Sequence, residues 1–184
     1  MSLLGFCEWL ASTEWSTALH ESLYAYPLVE TTHVLSLLLF VGTLSVVDLR
    51  LLGWVLRDVP VSEVTARLLP WTFTGLAISL VTGSLLFFAI PVRTYQSLFF
   101  RIKVVMLLVA ALNAALFHRV TSRGAPAWDR DPTPPLRARA AGAVSLVAWV
   151  TVIAMGRMIA YNWFDCDRQP QPDLVNWAAG CILP

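Results

Sequence analysis

His33 follows Glu30 by one helical turn and stands two residues before an uninterrupted uncharged run, Leu35 to Val47. An imidazole and a carboxylate placed in such a stretch are costly in hydrocarbon and by default mark a working site. Arg101, Arg157 and Tyr161 are expected at the same depth, the last two one turn apart on one helical face. Imidazole, carboxylate, guanidinium and phenol together can bind a quinol headgroup and move its protons. Haem b is a second chemistry, with His33 as one axial ligand and His20, Met155 or Met158 as the other. His20, His33 and a methionine would also suit copper. Glu30-x-x-His33 is half of a di-iron carboxylate motif, but no second copy follows. Three histidines are too few for a two-haem bundle, which wants four.

Depth sorts the remaining ionisable residues. His33 and Asp48 are fifteen residues apart, and so are Lys103 and His118. At helical rise each pair spans roughly 22 Å. If the first and third long segments run in the same direction, two polar levels result. The outer level holds Glu30, His33, Arg101, Lys103, Arg157 and Tyr161; the inner level holds Asp48, Arg50 and His118, with Trp71 nearby. Glu30 and Asp48 differ by eighteen residues, a whole number of turns, so they share a face, and His33 lies within about 60° of it. The inner residues are expected to pair at the membrane boundary. At the outer level the alternative to a ligand site is a clamp, with Glu30 pairing to Arg101 or Arg157. Phe87, Phe88 and Phe100 offer apolar walls.

The elements that must position these groups are membrane spans. Hydrophobic residues make up 57% of the chain and charged residues 14%, against roughly 25% charged in soluble domains. Four segments approach or exceed the length needed to cross hydrocarbon: about 28–56, 70–90, 99–120 and 140–163. The expected fold is all-α, a polytopic four-helix transmembrane domain over 27–163. An amphipathic interfacial segment over 1–26 precedes it, as two short helices broken near Ser12-Thr13 with Thr13 as a cap. A tail over 164–184 follows. Thr121 to Arg137, rich in Arg, Asp and Pro, reads as an exposed extended loop. Ser62 is a candidate cap for a short lead-in to the second span. Trp149 falls inside a span and is expected to pack in the core.

Lys103 is the only lysine, against twelve arginines. The arginine excess in the first and third loops places those loops in the cytoplasm and both termini outside. The N-terminus, with Glu8 and Glu14 and no basic region, does not read as a cleaved signal peptide. Cys166 and Cys181 share the tail and are candidates for a disulfide on the oxidising side. No Cys-x-x-Cys pair is present, which removes thiol–disulfide catalysis. The net charge of +1 gives no basic patch for nucleic acid.

Tyr26-Pro27-Leu28-Val29-Glu30-Thr31-Thr32-His33 and Val47-Asp48-Leu49-Arg50-Leu51-Leu52-Gly53 resemble a bacterial family of four-helix membrane proteins of unknown function. So do Phe100-Arg101-x-Lys103, Asn113 to His118 and Gly156-Arg157-Met158-Ile159-Ala160-Tyr161. The resemblance covers most of the chain and implies the fold and an inner-membrane location, but no activity. The leading expectation is a small redox component binding haem b or quinol around His33, Glu30, Arg157, Tyr161, Arg101 and His20. The lipid bilayer surrounds it, and a periplasmic redox partner or a second copy accompanies it. The alternative is a non-enzymatic module: a transporter, metal-handling protein or accessory subunit with Glu30 and His33 as a polar clamp. No motif decides whether the chain is an enzyme.

Overall fold

The computed structural model describes residues 2–121, 127–161, 163, 164, 166 and 169–181, with the side chains of residues 120 and 121 left aside. Its elements are α1 (Leu3–Ala11), α2 (Glu14–Glu21), α3 (Ala25–Leu51), α4 (Val61–Ala89), α5 (Pro91–Tyr95), α6 (Leu98–Thr121), α7 (Leu136–Ile159) and α8 (Asp173–Ala179). No strand occurs among the described residues. Helices α3, α4, α6 and α7 are each long and apolar enough to cross a membrane. Only 11% of the most apolar stretch of α6 is buried within the protein, which suits an apolar, lipid environment.

The bundle is built as two antiparallel pairs, α3 with α4 and α6 with α7, joined where α3 packs on α7. The α3–α4 seam is polar and small rather than apolar. His33 meets Thr82, Ser36 meets Ser79, and Thr43 meets Thr72, at 2.9, 2.8 and 2.8 Å. Between the last two rungs Gly75 lies so close to Phe40 that a Cβ there would stand 2.7 Å from the Phe40 nitrogen. The positions step 33, 36, 40, 43 along α3 and 82, 79, 75, 72 along α4. Matched steps of three and four hold one helix face against another over three turns. In a membrane, apolar attraction between helices disappears, so close approach of small residues and interhelical hydrogen bonds must supply the association. Phe40 also packs edge-on against Trp149 of α7, ring centroids 4.6 Å apart, which carries the seam into the second pair.

The structure departs from the sequence reading at the end where the interhelical loops lie. Helix α3 stops at Leu51 rather than near Leu56, because Gly53 takes a left-handed conformation (φ 74°) and Trp54 N–H donates back to the Leu49 carbonyl. Helix α4 runs unbroken from Val61 through Pro70, although Pro70 was read as its start. What fixes the start is Asp129, sixty-seven residues away in sequence: its carboxylate accepts from Ser62 N at 2.8 Å and from Ser62 Oγ at 2.7 Å. The Asp129 carbonyl accepts from Val61 N at 3.0 Å. Ser62 is therefore the residue capped, not the cap. The segment 127–135 is accordingly no free loop. It folds under α3 and α4, with Asp129 and Pro134 buried and Trp128 packed against Leu51, Val61 and Ala138. Arg50, wholly buried, ties both loops together, Nε donating to the Val59 carbonyl at 2.8 Å and Nη2 to the Asp131 carbonyl at 3.0 Å.

At the other end lie both termini. Thr13 caps α2, accepting from Ser16 N at 3.3 Å, with Glu14 in the first turn where the helix dipole favours it. The prelude does more than lie flat. Helix α1 packs on α5 and buries Cys7, while Ser16 Oγ donates to the Phe88 carbonyl at 2.8 Å, satisfying the frayed end of α4. Exposed Leu3, Trp9 and Trp15 remain for the interface. Cys166 and Cys181 are joined by a disulfide (S–S 2.10 Å) that fixes the end of α8. Arg123 in the third loop and Arg168 in the tail lie outside the described residues.

Candidate functional site

Two basic side chains from different helix pairs lie within electrostatic reach of each other at the end of the bundle that carries the termini. His33 comes from α3 and is half-buried; Lys103 comes from α6 and its charge is felt at the imidazole. Each rests on a glycine of the helix opposite. A Cβ on Gly83 of α4 would stand 3.2 Å from His33 Cε1, and a Cβ on Gly156 of α7 would stand 3.3 Å from Lys103 Nζ. All four long helices thus contribute, two with a basic group and two with the space for it.

The hydrogen bonds orient the His33 ring. Thr82 Oγ1 lies 2.9 Å from His33 Nδ1 and 2.7 Å from the Ile78 carbonyl. The Ser79 carbonyl also faces the ring. Nδ1 is thus engaged with Thr82, and Nε2 is the ring nitrogen left for another partner. Lys103 offers three donors. The only ion pair among the described residues is Arg67–Glu63, exposed on α4, so none of the described carboxylates pairs with Lys103. Above both groups Phe87 of α4 stacks on Phe100 of α6, centroids 5.5 Å apart. Phe87 is one turn beyond Gly83 and Phe100 one turn before Lys103, so the stack lies over the basic pair. It bridges the loosest side of the bundle, since α4 and α6 share no extended packing. No group of three His, Cys, Asp or Glu side chains suited to a metal occurs among the described residues.

The other sequence candidates surround this pair without joining it. Glu30 is exposed and shares the neighbourhood of Tyr26 with Arg93. His20 is exposed on α2, edge-on to Tyr26 at 5.8 Å. Arg157 is exposed and lies over its own neighbour Tyr161, 5.7 Å from the ring centre, and Tyr161 in turn stacks on Trp163. Arg101 lies 5.2 Å from the Tyr95 ring centre, on a different face of α6 from Lys103. No ion pair joins Glu30 to Arg101 or Arg157.

At the opposite level no ion pair among the described residues joins Asp48 to Arg50 or His118. Asp48 and Arg50 are two residues apart and point to different sides of α3. Arg50 reaches the loop carbonyls, Asp48 faces Ser145 of α7 with Oδ2 unpartnered, and His118 is exposed.

Thr82 escaped the sequence reading; Gly83, like Gly75, was legible there only as a small residue that permits close helix packing, and Gly156 only as part of a motif. Their one signal is the matched three-and-four spacing of small and hydroxyl residues on two segments, legible only once those segments are paired.

Four long apolar helices that could cross a membrane, with His33 and Lys103 set among them, define a polytopic membrane protein. Its sequence places it within a known group: the chain belongs to the Family of unknown function (DUF6644), whose profile matches residues 8–162. No curated protein and no solved structure matches the chain.

Proposed function

We propose that the protein binds the headgroup of a quinol-class amphiphile between α3, α4, α6 and α7, at His33 and Lys103. The observation that carries this reading is Lys103: a partly buried cation on an apolar helix, seated on Gly156, with no carboxylate paired to it among the described residues. Such a group calls for an oxygen acceptor. A quinol supplies two oxygens on a flat ring. One hydroxyl donates to the free Nε2 of His33, and the other oxygen accepts from Lys103 Nζ. The loose α4–α6 side gives an apolar tail a way to the bilayer, and the Phe87–Phe100 stack covers the ring. Haem b fits less well. His33 lies flush on Gly83, where even a methyl group would crowd it, and His20 is turned to Tyr26. The arginine distribution supports reading this end of the bundle as the outer face of a bacterial inner membrane, where a periplasmic partner would exchange electrons with the bound quinol.

The test is titration of the purified protein with a fluorescent hydroxyquinoline analogue of quinol. Lys103→Gln and His33→Asn should each weaken binding by about 10- to 100-fold, the worth of a charge-assisted hydrogen bond. Glu30→Gln should change it less than about threefold. An analogue that does not bind the wild-type protein, or binds both variants equally, rejects the reading.

One observation favours a second reading, a non-enzymatic module. The His33–Thr82 contact is in register with Ser36–Ser79 and Thr43–Thr72, as a structural rung would be. In that case His33→Asn lowers stability, and Lys103→Gln changes neither stability nor ligand content.

A further inference from the structure

Arg101 poses a problem that the quinol reading does not absorb. It lies in the first turn of α6 with no acidic partner among the described residues. Yet it is held in place. Its guanidinium lies over the Tyr95 ring at 5.2 Å, and Nε is 3.5 Å from the Tyr95 carbonyl. Gly180, left-handed at φ 70°, leaves the space it occupies: any Cβ there would collide with Arg101 Nη2. The neighbouring residue, Cys181, is locked to Cys166, so the disulfide holds α8 beside α6.

These contacts build an open groove of about 480 Å³. Its floor is one face of α6, Leu98, Arg101, Ile102 and Val105, at the i, i+3, i+4, i+7 spacing; its wall is Trp177 and Ala178 of α8. The floor continues down a helix whose sides face hydrocarbon. Trp177 is 79% exposed and stands at the mouth, beside the first turn of the span, where an indole suits the headgroup layer. Lys103, two residues on, points about 200° away around α6. The groove is thus on the outer surface of the bundle and separate from the basic pair inside.

We propose that this groove is a specific site for an anionic phospholipid, with the phosphate on Arg101 and one acyl chain along Ile102 and Val105. Charge complementarity and depth single out that occupant. A fixed guanidinium at the water–hydrocarbon boundary matches a phosphodiester in planar, bidentate fashion. An apolar channel leading from it into the membrane matches an acyl chain and not a soluble anion.

Native mass spectrometry of the disulfide-bonded protein, delipidated in detergent, tests this with phosphatidylglycerol and phosphatidylcholine of identical chains. The wild-type protein should retain one phosphatidylglycerol at least about tenfold better than phosphatidylcholine. Arg101→Gln should abolish the preference. Ile102→Trp, which keeps the charge and fills the groove, should reduce retention of both lipids. Arg157→Gln, an exposed arginine at the same end but outside the groove, should leave the preference intact. Inorganic phosphate at the lipid's concentration should displace nothing. Equal retention of the two lipids by wild type, an unchanged preference in Arg101→Gln, or displacement by phosphate alone overturns the proposal. None of these outcomes bears on the analogue titration at Lys103.

Discussion

Gly75→Ala is the most demanding test of the α3–α4 seam. The added Cβ would stand 2.7 Å from the Phe40 nitrogen and 2.9 Å from its Cα, while ordinary contact begins at 3.4 Å. Both atoms are backbone, so no side chain can swing aside, and the helices must part by the difference, about 0.7 Å. The rungs flanking Gly75, Ser36–Ser79 and Thr43–Thr72, are each 2.8 Å long. The same displacement would stretch them to about 3.5 Å, beyond a useful hydrogen bond. Two lost interhelical bonds at about 0.6 kcal/mol each, added to about 1–3 kcal/mol of overpacking, give a loss of about 2–4 kcal/mol. Unfolding in mixed micelles by SDS titration, followed by circular dichroism, measures it. Gly42→Ala is the control, because a Cβ on Gly42 meets nothing within 4 Å. Gly42→Ala should be neutral or slightly stabilising, as alanine is the better helix former. If the two variants unfold alike, the seam is not what holds α3 to α4.

Asp129→Ala should cost about 1–2 kcal/mol in the same assay, since it removes the cap from a helix start that no local residue caps. Cys7 should react slowly with maleimide at neutral pH, because burial, and then the Glu8 charge, raises its pKa, so the thiolate grows in only as pH climbs above the ordinary cysteine range. Rapid labelling in the folded protein at pH 7 would show that α1 is not docked on α5. In a background without native cysteines, a cysteine at exposed Arg130 should resist a membrane-impermeant reagent in intact cells, and ready labelling would reverse the proposed orientation.

The spans were legible because twenty-odd apolar residues have few alternatives in water or lipid. Their ends were harder to read, for reasons that differ from helix to helix. Pro70 looks like a helix start, yet α4 begins nine residues earlier because a remote carboxylate, Asp129, supplies the cap. A stop at Gly53 was open to sequence reasoning, since glycine is the usual left-handed terminator, but the apolar pattern running on to Leu56 concealed it. Within the site, His33 stood out as an imidazole in an uncharged run. Its setting did not, because Thr82 and Gly83 become meaningful only when α4 is known to be the antiparallel neighbour. Glu30 shows the limit of helical-wheel reasoning: it lies about 60° from His33, but one turn nearer the end, and there it is exposed.

The buried polar groups differ most in what they touch, and that separates framework from site better than depth does. Arg50 is fully buried, yet two of its nitrogens donate to carbonyls of two different loops, so its charge is spent holding backbone. Ser36, Thr43, Thr72 and Ser79 are closed in pairs across one seam. Lys103 has no such partner among the described residues, and the helix beside it provides a glycine rather than an acceptor. An uncompensated charge in hydrocarbon costs several kcal/mol, so Lys103 is the group with most to gain from an acceptor. His33 belongs to both groups: Nδ1 is committed to Thr82, and Nε2 is left for something else. This division predicts which substitutions separate binding from folding. Changes at Arg50 or the hydroxyl rungs should fail in stability first, whereas changes at Lys103 should fail in ligand content with the fold intact.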